Sequence, residues 1–388
     1  MVVPPVYDPL STETLEDPYP LYARLLKESP VFWHEQMQSW VICRNEDCRN
    51  ILRDHVRFAR DRRRVGVEVP EHLQNLQSLD PPELSPLKSV LMTAFRRQDL
   101  DVLGENAREL IAQTVNPLRD RDEFDWIHEV AGPVSLMVSA ELFGVVPPSL
   151  DRYSAISDAI ARRMDAGLNP AAIGPGDSAR AELNGIVDGW LAEESGSGVL
   201  ASIRDDANRA GLPAHYIRNS ASNMFNASYG TLFAAIGNVA LAVAEHPEAM
   251  DELRADAALL ETAPDEFMRF DGPAQGTSRV AVVETEIGGR TVLPGQIVMT
   301  LFGAANRDPE EFERPDELVL NRRPNRHLGF GWGAHGCLGL MFGNVVIREL
   351  LRVLTDAPDL RLAGAPTRRR TATVRSMDAL PVSFRPVG

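Results

Sequence analysis

Apolar and polar positions alternate in a way that predicts a mostly helical chain with a few short strands. Asp17-Pro18-Tyr19-Pro20 marks a turn into a helix over residues 21–27. The apolar runs 31–34 and 39–42, joined by a short polar link, have the pattern of a β-hairpin. Asp80-Pro81-Pro82-Glu83, with proline and acid where helix starts favour them, opens a helix reaching about Phe95. Helical patterns continue over 102–119 and 127–142. From 151 to 191 the pattern stays helical but is broken at Gly167-Leu168-Asn169-Pro170 and at Gly174-Pro175-Gly176, as in a flexible lid. Further on come a short helix at 265–270 and strands at 278–283 and 297–301, with Gly288-Gly289 as the hairpin turn. A helix at 340–354 and a closing strand pair within 374–384 complete the chain.

One stretch departs from this alternation. Residues 219–244 are 26 positions without a charge, long enough for a membrane span by length alone. Eight of them are Asn, Ser or Thr (Asn219, Ser220, Ser222, Asn223, Asn226, Ser228, Thr231, Asn238), too many for lipid. A helix uncharged all round and dotted with hydroxyls and amides belongs in a protein interior beside a cavity.

Composition narrows the function. The 388 residues hold no repeat and no Pro- or Ser-rich linker; the stretch 193–198 is too short to separate domains, so the expectation is a single domain over 1–388. A formal charge of −15 excludes a nucleic-acid footprint. Only Lys27 and Lys88 are lysines, so the basic groups are almost all arginine. The cluster Arg60-Asp61-Arg62-Arg63-Arg64 is expected on a solvated surface. Three cysteines make no disulfide framework, residues 1–10 show no apolar leader or anchor, and a cytoplasmic protein is expected. Cys43 and Cys48 flank a helix start without the further ligands that a tetrahedral metal site needs.

The third cysteine lies in Phe330-Gly331-Trp332-Gly333-Ala334-His335-Gly336-Cys337-Leu338-Gly339, where four glycines in ten residues demand tight turns or close approach. Cys337 stands just before the helix at 340–354, where amide groups and the helix dipole favour a thiolate. A thiolate in such a nest of donors can serve as an axial ligand to haem iron. The spacing Phe330, Gly333, Cys337, Gly339 resembles the haem-thiolate signature of the cytochrome P-450 family, and the resemblance extends over essentially the whole chain.

That resemblance implies a mostly α fold with small β-sheets enclosing haem b, with Cys337 as the iron ligand and Phe330 and Gly339 shaping its loop. Glu266 and Arg269, three apart on one helix face, look like the family's Glu-x-x-Arg pair, with Arg322 as the third, structural partner. Arg279, His335 and Lys88 occupy positions similar to donors for the haem propionates. Leu84 stands where the family has a histidine, and Asn344 and Val346 replace a common Arg-x-Glu pair after the cysteine. Counted back from His246-Pro247, the family's Ala-Gly-x-acid-Thr falls on Ala227-Ser228-Tyr229-Gly230-Thr231. Thr231 is kept, but Gly230 replaces the acid that helps deliver protons for splitting dioxygen. Either the pocket is simply wider there, or Ser228, Asn226 or the substrate extends the proton path.

The activity so implied is a monooxygenase that uses O2 and electrons from NAD(P)H, delivered by ferredoxin and its reductase or by a flavodoxin. Its substrate is a small molecule or small peptide of secondary metabolism. Pocket walls by analogy are Tyr229, Met164, Ala274, Thr277 and Met377. With the acid missing, aromatic coupling, peptide crosslinking or nitration stand as alternatives to hydroxylation. A haem sensor without turnover is the alternative of another class, against which Thr231 and the lid-like 167–176 segment weigh.

Overall fold

The structure, a computed structural model, describes residues 6–193 and 196–385. Helix α1 (Thr12–Glu16), capped by the Ser11 hydroxyl, leads into α2 (Tyr19–Glu28). Strands β1 (Val31–His34) and β2 (Ser39–Ile42) form the expected hairpin, with Trp33 opposite Trp40 and their rings 5.6 Å apart. After α3 (Asn45–Arg53) and β3 (Phe58–Ala59) the chain runs through α4 (Leu84–Arg96) and α5 (Leu100–Val115). The Asp99 carboxylate caps α5, accepting from the amides of Asp101 and Val102 at 3.1 Å. Strand β4 (Phe124–Asp125) and a π-helical turn (Ile127–Ala131) precede α6 (Gly132–Phe143).

Helices α7 (Leu150–Met164) and α8 (Ile173–Ala192) pack side by side, and here the expectation needs correction. Gly174-Pro175-Gly176 does not break the helix. Pro175 sits in the first turn of α8, where its missing N–H forfeits no helical bond. A Cβ at Gly176 would come within 2.3 Å of the Arg163 Cβ, so glycine here lets α7 and α8 approach closely. The connection before α8 is real but fastened. Its Asp165 carboxylate accepts from the amides of Ala372 (2.7 Å) and Thr373 (3.0 Å) and from the Thr373 hydroxyl (2.6 Å).

Of the 193–198 stretch, residues 194–195 lie outside the described residues; α9 (Gly198–Ala210) follows. The uncharged stretch forms α10 (Ala214–Glu245), 32 residues and so roughly 48 Å long. It is apolar and long enough to cross a membrane, but 72% of its most apolar window is buried inside the protein, which makes it the core helix. α10 packs against α6, α7, α8 and α9, and then against α11 (Pro247–Ala255) and α12 (Ala263–Asp271).

Strands β5 (Gly276–Ala281), β6 (Thr285–Ile287), β7 (Arg290–Val292) and β8 (Ile297–Leu301) come next. Gly288-Gly289, both at positive φ (54° and 74°), turns β6 into β7 rather than joining the two longer strands. β5 and β8 pair antiparallel directly, in a five-stranded sheet of order β1-β2-β8-β5-β3 whose β2–β8 pairing is parallel. Short α13 (Phe302–Ala305) and a turn-rich stretch lead to α14 (Leu340–Thr355). The last strands are β9 (Arg361–Leu362), β10 (Thr367–Arg368), β11 (Met377–Ala379) and β12 (Pro381–Ser383). Contrary to the closing strand pair expected from the sequence, the two tail strands do not pair with each other. β11 pairs with β10, while β12 lies between β4 and β9.

Two buried charge clusters fasten α12. Glu266 binds Arg269 at 2.8 Å and Arg322 at 3.0 Å, and its carboxylate also accepts from the Val319 amide and the Asn325 side chain. Every strong acceptor position is therefore filled, the condition under which a buried ion pair is tolerated. Asp271 binds Arg375 at 2.7 Å and Arg368 at 3.4 Å and accepts from the Tyr19 hydroxyl. Arg375 in turn donates to the carbonyls of Leu15 and Glu16, so this cluster joins both ends of the chain.

Burial alone would push the Asp271 carboxyl up, but the two guanidiniums and the tyrosine outweigh it and bring its pKa down to about 2. The unfolded group titrates near 3.9, so its stabilisation, about 2 kcal/mol, is complete above pH ~5 and is lost as pH falls through about 4 towards 2. Urea midpoints measured from pH 6 to pH 3 are expected to fall more steeply for the wild type than for Asp271→Asn. Parallel slopes would contradict this account.

Candidate active site

A cavity of about 840 Å³ opens between α10, the glycine-rich loop, the start of β5 and helices α4, α7 and α8. Its floor is the cysteine loop. Gly331 and Gly333 take positive φ (67° and 73°), and a Cβ on Gly333 would stand 2.3 Å from the Leu52 carbonyl at the end of α3. No other residue combines that backbone with that approach. The Cys337 amide donates to the Phe330 carbonyl at 2.9 Å and the Gly336 amide to the Gly333 carbonyl at 3.1 Å, closing the loop. Phe330, Cys337 and Gly339 all line the cavity. Cys337 is accessible only in the sense that it faces this cavity: it lies deep in the protein, and burial pushes its thiol pKa up, partly offset by the Gly339 amide.

One corner of the cavity is strongly cationic. Arg279 is buried, and among the described residues its guanidinium donates to the Thr277 hydroxyl (3.3 Å) and the Ser278 carbonyl (2.8 Å). Burial, then the like charge of Arg60, bring its pKa down to about 9 despite Asp80. His335 bonds Asp80 at 2.9 Å; burial, only partly opposed by Asp80, lowers its pKa and leaves the ring neutral near pH 7. Lys88 donates to the Ala334 carbonyl at 2.6 Å, and burial lowers its pKa. Leu84, one turn before it, adds only an apolar wall.

Arg60 corrects the expectation of a solvated basic cluster. Its half-buried guanidinium turns into the same corner, donating to the Thr277 hydroxyl at 2.8 Å and the Gln77 carbonyl at 2.7 Å, and desolvation lowers its pKa. Of its neighbours, Arg63 is bound by Asp61 and Glu83, and Arg64 lies 3.6 Å from Asp80. Neither Arg60 nor Arg279 has a carboxylate in ion-pair contact among the described residues, and the opposite charge they share, Asp80, is already bound by His335 and by the amides of Arg60 and Asp61. The run of like charges hid this residue, which follows directly after the two-residue strand β3.

The roof is α10. Thr231 faces the cavity and its hydroxyl donates to the Ala227 carbonyl at 2.6 Å. Asn226, Ser228, Tyr229 and Gly230 line the cavity too. Ser228 bonds Ser139 at 2.8 Å, Tyr229 bonds Ser154 at 2.8 Å, and the Asn226 side-chain oxygen has no hydrogen-bond partner among the described residues. A Cβ on Gly230 would meet one atom, the Ser157 hydroxyl of α7, at 3.3 Å. Sequence reasoning missed Ser157, because only the packing of α7 on α10 puts it there.

Met164, Ala274 and Thr277 line the cavity as expected, but Met377 does not. It is 1% exposed, in the hydrophobic core beside Gly237, because β11 turns it inward; Val374 and Ser376 take the wall position. Glu266, Arg269 and Arg322 stay outside the cavity, as a structural cluster should. Asn344 donates to Asp265 at 2.8 Å, and Val346 is buried. Cys43 and Cys48 are buried, burial pushes both thiols up, and no metal-type cluster of three ligands occurs among the described residues.

The cytochrome P450 family model matches residues 197–354. The chain is similar to the cytochrome P450 monooxygenase PikC of Streptomyces venezuelae, 28% identical over 98% of this chain and 95% of that one. It is 29% identical to the 20-oxo-5-O-mycaminosyltylactone 23-monooxygenase of Streptomyces fradiae, over 88% of this chain and 85% of the relative. Among solved structures, CalO2 superimposes with a TM-score of 0.86 at 28% identity, covering 99% of this chain and 100% of that one. With a cysteine loop, a core helix carrying Thr231 and a cavity between them, the chain is similar to cytochrome P450 proteins in sequence and in fold.

Proposed function

We propose that this haem-thiolate monooxygenase works in the cytoplasm on a small secondary-metabolite substrate, drawing NAD(P)H electrons through a ferredoxin and its reductase or a flavodoxin. Names of its relatives favour monooxygenation over the coupling, crosslinking, nitration and sensing alternatives. The observation that carries the assignment is the pairing, in one cavity, of an inward-facing Cys337 thiol with two guanidiniums that lack carboxylates. This donor set fits a planar dianionic porphyrin with a central iron. Cys337 would hold the iron, Arg60 and Arg279 would neutralise the propionates, and Lys88 and His335 would complete that corner. Phe330 and Gly339 shape the loop around the sulfur.

Haem supplies the activation of dioxygen, inserting one oxygen atom into the substrate at the expense of two electrons and two protons. The chain's part is to position and to move protons. Thr231 presents a hydroxyl on the cavity side of α10, bound to the Ala227 carbonyl, and keeps its lone pairs free to hold a water. Gly230 cannot supply a proton. Ser157, the one atom facing the missing side chain, stands nearest to that role, with Ser228 and Asn226 further along the same helix. Tyr229, Met164, Ala274 and Thr277 form substrate walls.

Two measurements check this assignment. Arg60→Leu and Arg279→Leu are each expected to speed haem transfer to apomyoglobin by about tenfold or more, the worth of a charge-assisted hydrogen bond. Unchanged rates in both would contradict the proposed anchoring. Thr231→Ala is expected to keep NAD(P)H consumption while diverting most of it to hydrogen peroxide; undiminished coupling would remove Thr231 from the proton path.

A further inference from the structure

Besides the cationic corner, the cavity has a second cation at its α7–α8 side. Arg180, on α8, lines the cavity, and burial, followed by the like charge of Arg163, lowers its pKa. The acid that could offset this, Asp177, is engaged by Arg163 at 3.0 Å. The remaining cavity cation outside the corner, Arg369, is satisfied by Asp378 at 2.7 Å and lies 3.6 Å from Asp158. His128, also on the lining, is bound by Asp125 at 2.7 Å. Arg180 thus stands apart: a half-buried guanidinium facing the cavity with no ion pair or hydrogen bond to the described residues.

Its surroundings describe the missing partner. Ser154 and Ser157 of α7 and Tyr229 of α10 bring hydroxyls to the same part of the wall, and Leu150, Ile160, Ala161 and Met164 make the rest apolar. Asp151 is the one carboxylate on the cavity lining, and it is solvent-exposed at the rim. A Cβ on Gly230 would stand 3.3 Å from the Ser157 hydroxyl, so glycine here lets α7 bring that serine against α10. A guanidinium partly withdrawn from water gains from meeting an anion, and its planar fork matches a carboxylate.

We propose that the substrate is an amphiphilic carboxylate whose anionic head is taken by Arg180 while its apolar body lies along α7 and α10. This rests on the monooxygenase assignment for its meaning, but it makes a claim of its own about charge. Arg180 is then a specificity-determining residue, and neutral molecules of the same shape are poor ligands.

The test uses haem-loaded protein and two matched pairs, dodecanoate with 1-dodecanol and biphenyl-4-carboxylate with biphenyl-4-methanol, titrated by calorimetry. In the wild type at least one carboxylate is expected to bind about tenfold or more tightly than its alcohol. Arg180→Leu should abolish that preference and leave the alcohol affinity unchanged, and Arg180→Lys should retain part of it. Absence of any carboxylate preference in the wild type, including failure of both carboxylates to bind, overturns the proposal. So does a preference that survives in Arg180→Leu. The carbon monoxide spectrum of the same samples reports separately on thiolate-ligated haem, so a failure of the monooxygenase assignment is recognised independently of the charge result.

Discussion

The buried carboxylate of Glu266 is the constraint from which the cysteine loop hangs. It fixes Arg269, whose guanidinium donates to the carbonyls of Asn306, Pro315 and Glu317 and so gathers the turn-rich stretch before the loop. The Asn306 side chain then accepts from the Leu328 amide, the Leu328 carbonyl from the Gly331 amide, and the Phe330 carbonyl from the Cys337 amide. Few regular elements lie between α13 and α14. A segment so poor in helix and strand holds its shape only if its backbone groups find such partners, and a saturated ion cluster supplies them. Remove the carboxylate and two buried guanidiniums lose their counter-charge together.

Charge inside the cavity follows a different logic. The Glu266 carboxylate satisfies its arginine partners, whereas Arg279, buried, and Arg60 and Arg180, half-buried, face the cavity without a carboxylate in ion-pair contact among the described residues. In a protein of net charge −15 such under-compensated cations are not accidents of composition. Two of them share one corner with Lys88 and His335, the corner proposed above for the dianionic edge of the cofactor. The third lies on the other side, near the bare face of α10 at Gly230. The loss of a histidine at Leu84 and of an acid at Gly230 are therefore different kinds of change: one is met by an arginine from the end of β3, the other brings a serine of α7 against the core helix.

Much of this was legible in the residues. The uncharged stretch announced α10, the hairpin at 31–42 was set by its alternation, and the glycine spacing around Cys337 announced a loop that nothing but glycine could close. What escaped depends on tertiary register. Arg60 sits in a run of four arginines and one aspartate, and local charge does not say which of them points inward. Met377 is one residue from the wall but faces the core, because a one-residue step along a strand reverses its side. Gly174-Pro175-Gly176 looked like a break because helix starts tolerate proline and packed helices use glycine, and neither is apparent without the partner helix. Ser157 and Arg180 carry no motif; only the packing of α7, α8 and α10 gives them meaning.

The absorption spectrum of the reduced protein under carbon monoxide, recorded for the wild type and for Cys337→Ala, tests the central claim most directly. Thiolate-ligated haem requires a long-wavelength Soret band in the wild type that the substitution abolishes. A band at the histidine-ligated position, or one that survives in Cys337→Ala, would contradict the assignment of Cys337 and with it the chemistry built on this cavity.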